Sequence, residues 1–279
     1  MRYRTFGPTG REVSILGQGT WHLEKDDRRS AIAVLRRGLD LGMTHVDTAE
    51  MYGDGTVEEL VGEAIAGRRE EVFLVSKVLP QNASRRGTIQ ACERSLGRLR
   101  TDRLDCYLLH WPGRHPLKDT IAAFEELLEA GRILSWGLSN FDEKQLDEAI
   151  RIAGEGRVAC NQVLYHLEER AIEHSVIPFC EQHGIAVVAY SPFGSGDFPQ
   201  PSTRGGRVLD EIARAHGATP RQTALAFLTR RAFAIPRTSN PDHAATNAAA
   251  AEIELTEEEV RRIDAAFPLG PRRPGVPTL

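Results

Sequence analysis

The feature that most constrains this chain is an alternation. Eight short runs rich in β-branched and aliphatic residues each give way to a longer stretch with helical character. The runs are Ile15–Gly17, Met43–Asp47, Glu71–Lys77, Leu104–His110, Ile133–Asn140, Val158–Gln162, Ile185–Tyr190 and Ala232–Pro236. A strand that returns through a helix to the next strand builds a parallel sheet, and eight such units close into a (β/α)8 TIM barrel. The competing architecture is an open doubly wound sheet. It would need a glycine fingerprint after an early strand, and Gly17-Gln-Gly19-Thr-Trp is not one. The 279 residues suffice for two average domains but also match one barrel, and no internal linker divides them. The expectation is one domain over 1–279.

Local signals fill in the frame. Arg2 to Ser14 reads as a hairpin about the turn sequence Gly7-Pro8-Thr9-Gly10, capping the barrel bottom. Asp26 or Asp27 can cap a first helix that runs to about Leu41. Ile89, Cys92, Leu96 and Leu99 share one face of a helix over Ser84–Leu99. After the seventh strand comes a Gly/Pro/Ser-rich loop, Pro192–Gly206, then a helix pair, Arg207–His216 and Pro220–Arg231. Thr256 with Glu259 forms a capping box for an extra helix to about Phe267. Residues 268–279 carry too many prolines for regular structure.

Composition excludes several classes. Net charge is 35 − 39 = −4, so no basic field draws nucleic acid or a membrane surface. No apolar run approaches a membrane span, and the N-terminus lacks a signal-peptide core. Cys92, Cys106, Cys160 and Cys180 lie far apart without metal-ligand spacing. They read as reduced thiols of a cytoplasmic protein that holds no metal.

In a parallel barrel the C-terminal strand ends meet at one mouth, where the chemistry is carried. Here those ends hold Trp21, Asp47, Lys77, His110, Ser139, Asn140, Gln162, Tyr190, Ser191 and Arg237. Tyr52 follows Asp47 by five residues, between Met51 and Gly53. A tyrosine, with a pKa of about 10, serves as a general acid only where a cation or hydrogen bond stabilises the phenolate. Lys77 can supply that cation. Ser139, Asn140 and Gln162 suit a carboxamide ring, and Tyr190 offers a flat face. Arg237, just before a helix, suits an anion. Gly17 and Gly19 would let the backbone approach a ligand. Taken alone, Asp47 reads better as a cap or turn residue, Lys77 as a solvated side chain and His110 as a hydrogen-bonded structural residue, while for Ser139 the cap and the site reading are equal.

Taken together, Gly17-Gln-Gly-Thr-Trp21, Asp47-Thr-Ala-Glu-Met-Tyr-Gly53, Val75-Ser-Lys77, Leu108-Leu-His-Trp111, Gly137-Leu-Ser-Asn140, Asn161-Gln-Val163, Ala189-Tyr-Ser-Pro192 and Ile235-Pro-Arg-Thr-Ser-Asn240 make the pattern specific. Over nearly its whole length the chain resembles the aldo-keto reductases, and most the bacterial branch that includes methylglyoxal reductases. The resemblance implies metal-free, NAD(P)H-dependent reduction of aldehydes or ketones to alcohols, with a monomer as the family's common case. It implies Tyr52 as general acid, with Asp47, Lys77 and His110 as partners. It also implies a cofactor bed of Gly19, Thr20, Trp21, Asp47, Ser139, Asn140, Gln162, Tyr190, Ser191, Phe193, Gly194, Ser195, Pro236, Arg237, Thr238, Ser239, His243 and Asn247. In this scheme the loop to Gly206 folds over the cofactor as a lid. Trp21, His22, Met51 and Trp111 would line the substrate pocket by their position.

One departure matters. The family's NADPH-preferring members carry a second arginine where His243 stands, and often a glutamate where Thr246 stands. One fixed cation and one titratable histidine hold a 2′-phosphate less strongly than two arginines. The expectation is NADPH preferred, with measurable use of NADH. Two other classes compete: a cofactor-binding redox sensor with negligible turnover, and a Schiff-base aldolase using Lys77. The full tetrad speaks against the sensor. An Asp47–Lys77 pair speaks against the aldolase, because a paired lysine stays protonated.

Overall fold

Side chains on a strand alternate between its two faces, and that period of two explains how this barrel is filled. The computed structural model describes residues 1–279. Its barrel strands are β3 (Gln18–Gly19), β4 (His45–Asp47), β5 (Phe73–Val78), β6 (Cys106–Leu109), β7 (Trp136–Ser139), β8 (Val158–Leu164), β9 (Ala186–Tyr190) and β10 (Phe233–Ala234). They pair in sequence order, all parallel. A bridge from Leu16 to Ala234 joins the first to the last, with Gly17 N donating to the Ala234 carbonyl at 2.8 Å. Inward positions climb from an apolar floor to a polar rim. On β5 the series is Phe73, Val75, Lys77; on β6 it is Cys106, Leu108, and His110 just past the strand; on β9 it is Ala186, Val188, Tyr190. The apolar members form one inner cluster with Phe6 and Val13.

Phe6 and Val13 come from the expected hairpin, β1 (Tyr3–Thr5) with β2 (Glu12–Ser14). The Phe6 ring plugs the floor against Phe73 and Phe233, at centroid separations of 4.7 and 5.0 Å. His45 is buried there as well, edge-on to Phe6 and Phe73, with neither ring nitrogen partnered. Burial pushes its imidazole down to about 4, so it is neutral.

The outer positions of the strands pack under a helical layer that forms the larger core cluster. Its helices are α1 (Arg28–Asp40), α2 (Thr56–Ala64), α3 (Arg85–Leu99), α4 (Leu117–Glu129), α5 (Glu143–Ala153), α6 (Val176–Gln182), α7 (Arg204–Ala215), α8 (Pro220–Leu228), α9 (Pro241–Ala249) and α10 (Glu257–Ala266). Asp27 caps α1, Ser84 caps α3, and the Thr256–Glu259 capping box opens α10. The barrel with its hairpin and extra helices is the expected fold. Two boundaries move most: the first barrel strand is Gln18–Gly19 and not Ile15–Gly17, where Leu16 makes only a bridge to Ala234, and α7 begins at Arg204, so the preceding loop ends at Thr203 and not at Gly206. Gly205 and Gly206 lie inside its first turn for close packing. A Cβ on Gly205 would meet the Phe267 ring at 2.4 Å, and one on Gly206 the Gln200 carbonyl oxygen at 2.0 Å. The four cysteines are buried and unbonded, and no helix is long and apolar enough to cross a membrane.

Candidate active site

The parallel register brings the strand-end residues to one mouth. Lys77 rises inward from β5, fully buried. Its Nζ donates to Asp47 Oδ1 at 2.6 Å, to the Thr48 carbonyl at 2.8 Å and to the Tyr52 hydroxyl at 3.2 Å. Three ammonium donors thus meet three acceptors. The second oxygen of Asp47 accepts from Gln162 Nε2 at 2.7 Å, and its main-chain carbonyl accepts from the Thr20 hydroxyl at 2.8 Å. Burial works against the Lys77 ammonium, but Asp47 and Tyr52 outweigh it and hold its pKa above the ordinary value. That disfavours the nucleophilic amine an aldolase needs.

Tyr52 opens a short turn in which Gly53, Asp54 and Gly55 all have positive φ, and this tight bend sets the phenol beside Lys77. Burial raises its pKa and the Asp47 charge adds to the rise, while the Lys77 charge works the other way; the net shift is upward. Lys77 acts on the phenol in the expected direction, but desolvation is the larger effect. The phenol is therefore protonated at neutral pH, as a general acid must be. His110 stands edge-on to Tyr52, with centroids 5.9 Å apart. Burial and the Lys77 charge push its imidazole down to about 2, so the neutral ring faces the mouth with Nδ1 unpartnered.

Beside these lies a second network. The Ser139 hydroxyl donates to the Gln162 carbonyl at 2.9 Å, and Asn140 Nδ2 donates to the His110 carbonyl at 3.1 Å. The Tyr190 hydroxyl donates to Asn140 Oδ1 at 3.0 Å. Non-glycine residues with positive φ are His22, Asp54, Asn140, Ser191 and Ser195 at the mouth, with only Arg100 elsewhere. Such strain concentrates where a backbone is held for a task. Gly17 and Gly19 have a packing reason of their own. A Cβ on either would lie 2.6 Å from a carbonyl oxygen, of His45 and of Ile235, so barrel packing requires them.

The rim loops complete the surroundings. Trp21 stacks on His22 at 4.2 Å, Trp111 leans on His110 at 4.7 Å, and Met51 is half-buried. Phe193 packs edge-on to Phe198 under the Arg221 guanidinium, which pins the Ser191–Ser195 loop. The tail, irregular as expected, is nonetheless tied along the rim. His174 holds the Gly270 carbonyl at 3.1 Å, Arg272 meets Glu143 at 2.7 Å and Arg273 meets Glu169 at 2.8 Å. Val276 packs on the core.

At the far end of the mouth, Arg237 leaves the loop after β10 half-exposed. Its Nη2 donates to the His22 carbonyl at 3.2 Å and pairs with Asp26. Thr238, Ser239 and His243 are on the surface, while Asn247 is buried on α9. The anion site expected at the α9 N-terminus is weaker than its position suggests. Pro241 has no N–H, and the Asp242 N–H is taken by the Asn240 side chain at 2.8 Å. A surface cavity of about 430 Å³ lies elsewhere, between Tyr165, Phe227 and the paired Arg170 and Asp264.

Residues 15–267 match the model of the aldo/keto reductase family. The chain belongs to that family. It is an aldo-keto reductase, an NADP(H)-dependent oxidoreductase. It is 44% identical to the methylglyoxal reductase YeaE of Escherichia coli K12 over 91% of this chain and 90% of that one. It is 33% identical to the glyoxal reductase of Bacillus subtilis over 92% and 90%. An aldo-keto reductase from Klebsiella pneumoniae, solved in complex with NADPH, superposes with a TM-score of 0.93 at 40% identity, each chain covered in full.

Proposed function

We propose that this reductase converts small aldehydes and α-dicarbonyls such as methylglyoxal to alcohols, with Tyr52 as general acid. The observation that carries the reading is the Lys77 ammonium, bonded at once to Asp47 at 2.6 Å and to the Tyr52 hydroxyl at 3.2 Å. NADPH supplies the hydride when bound. The chain's own residues do the rest. Neutral His110 and the Tyr52 hydroxyl together fix a carbonyl oxygen. Tyr52 releases its proton to that oxygen as negative charge builds there, and Lys77 steadies the phenolate left behind. Asp47, held by Gln162, keeps Lys77 charged and in place.

The mouth's donors fit the cofactor. Ser139, Asn140 and Gln162 carry groups that match a carboxamide, and half-buried Tyr190 presents a ring face. Gly19, Thr20, Trp21, Ser191, Phe193, Gly194 and Ser195 flank the path toward Pro236, Arg237, Thr238, Ser239, His243 and Asn247. That far end carries one fixed cation, which supports NADPH first and NADH second. Trp21, His22, Met51 and Trp111 would contact substrate. The reading includes a cytoplasmic monomer.

The test is the fall in reduced-nicotinamide absorbance with methylglyoxal and NADPH, in wild type beside Tyr52→Phe. Turnover should drop by about 10²–10⁴-fold with cofactor affinity kept. Undiminished turnover in the variant would remove Tyr52 from the role.

A further inference from the structure

Asp26 and Arg237 are 211 positions apart in the chain and meet at the barrel seam. The seam is where the first strand lies beside the last: Gly19 N donates to the Pro236 carbonyl at 3.2 Å. From there the Arg237 side chain crosses the loop between β3 and α1 and ties down two of its points, the His22 carbonyl and the Asp26 carboxylate. The structure assigns no other ion-pair partner to Arg237. The groups around it also lean against a second anion. Asp242 sits in the first turn of α9, the Pro241 position has no N–H, and Asn240 takes the next one.

We propose that Asp26 is a selectivity residue for the cofactor. By pairing with Arg237 it offsets the one fixed cation facing an adenosine 2′-phosphate, and so brings NADH into use beside NADPH. The inference rests on the reading above that Arg237 serves that phosphate. A 2′-phosphate is a dianion near neutral pH, so it either displaces Asp26 from the guanidinium or shares the guanidinium with it. Both routes weaken its binding, whereas a 2′-hydroxyl is nearly indifferent to the Asp26 charge. The pair is half-exposed, with side-chain exposures of 34% and 21%, so the effect belongs with rim ion pairs and not with buried ones.

The experiment titrates NADPH and NADH into wild type, Asp26→Asn and Arg237→Met, following quenching of tryptophan fluorescence at low ionic strength. Asp26→Asn should tighten NADPH by about threefold and leave NADH nearly unchanged, the size expected for one exposed charge pair. Asp26→Ser removes the same charge with a different side chain and should repeat the result. A selectivity ratio that stays put or falls in both variants overturns the proposal, and would make Asp26 a positioning residue that holds Arg237 in place. The Arg237→Met arm tests the premise separately. If that variant binds NADPH as wild type does, Arg237 does not serve the phosphate, whatever Asp26 does.

Discussion

The two ends of the mouth are built on opposite principles. At the carbonyl end, Lys77 and Asp47 form an ion pair with side-chain exposures of 0% and 1%, and each polar atom of the pair has a named partner. At the end proposed for the cofactor's phosphate, Arg237 and Asp26 are half in water, and the flanking helix has already used or lost its first amides. The difference separates chemistry from affinity. Charge stabilisation during a reaction gains from a dry site fixed in advance, where Coulomb interactions are strong. Cofactor choice needs only a modest energy difference, which exposed charges supply and can readily alter.

The largest break in this comparison is Lys77→Met. Turnover should fall by about 10²–10⁴-fold, because Tyr52 loses the cation that steadies its phenolate. The fold should also lose about 3–5 kcal/mol, because Asp47 is left buried without a counterion. Steady-state rates and urea melts would check both. A stable variant would mean that the Gln162 contact alone can hold the carboxylate. The same deletion at the phosphate end, Arg237→Met, carries no such stability cost, since the partner carboxylate is already wetted.

Acid sharpens the contrast next. His45 on the floor is held down to about 4, well below the ordinary 6.5. Below pH 6.5 the unfolded chain takes up a proton that the folded chain refuses. Stability is therefore full above pH 6.5 and declines as the pH falls toward 4, by about 3 kcal/mol for this group. His110, held down to about 2, adds a loss of the same sign. Urea denaturation between pH 7 and 4.5 should show the slope, and His45→Leu should flatten part of it. An unchanged slope in that variant would assign the acid sensitivity elsewhere.

What the sequence made legible follows from local signals. Strand-end polarity located Asp47, Lys77, His110 and Tyr190, because period two forces them onto the same inward face as Phe73, Leu108 and Val188. Caps located α1 and α10, and an apolar face located α3. What was not legible depends on partners far along the chain. The start of α7 was missed because two glycines in a first turn read as loop until Phe267 is seen against one of them. The path of the tail depends on Arg272 and Arg273 finding Glu143 and Glu169. The Asp26–Arg237 pair gives no sign at either position. The upward shift of Tyr52 needs the degree of burial, which no motif records.

His243→Arg is the smallest expected effect and the one that probes the phosphate end without touching the seam. His243 is exposed on the first turn of α9, at the position where the family's NADPH-preferring members carry their second arginine. Restoring a fixed cation there should tighten NADPH by about threefold and leave NADH unchanged. The gain should shrink as salt rises from 0.05 to 0.5 M, because an exposed charge is screened over about a Debye length. The loss caused by Tyr52→Phe should not respond to the same salt, since its partners are buried. If the His243→Arg gain instead holds constant with salt, the new guanidinium makes a dry, bidentate contact, and the phosphate end is less open than its exposed side chains indicate. In the double variant with Asp26→Asn the two gains should add, provided that both charges act on one phosphate without touching each other.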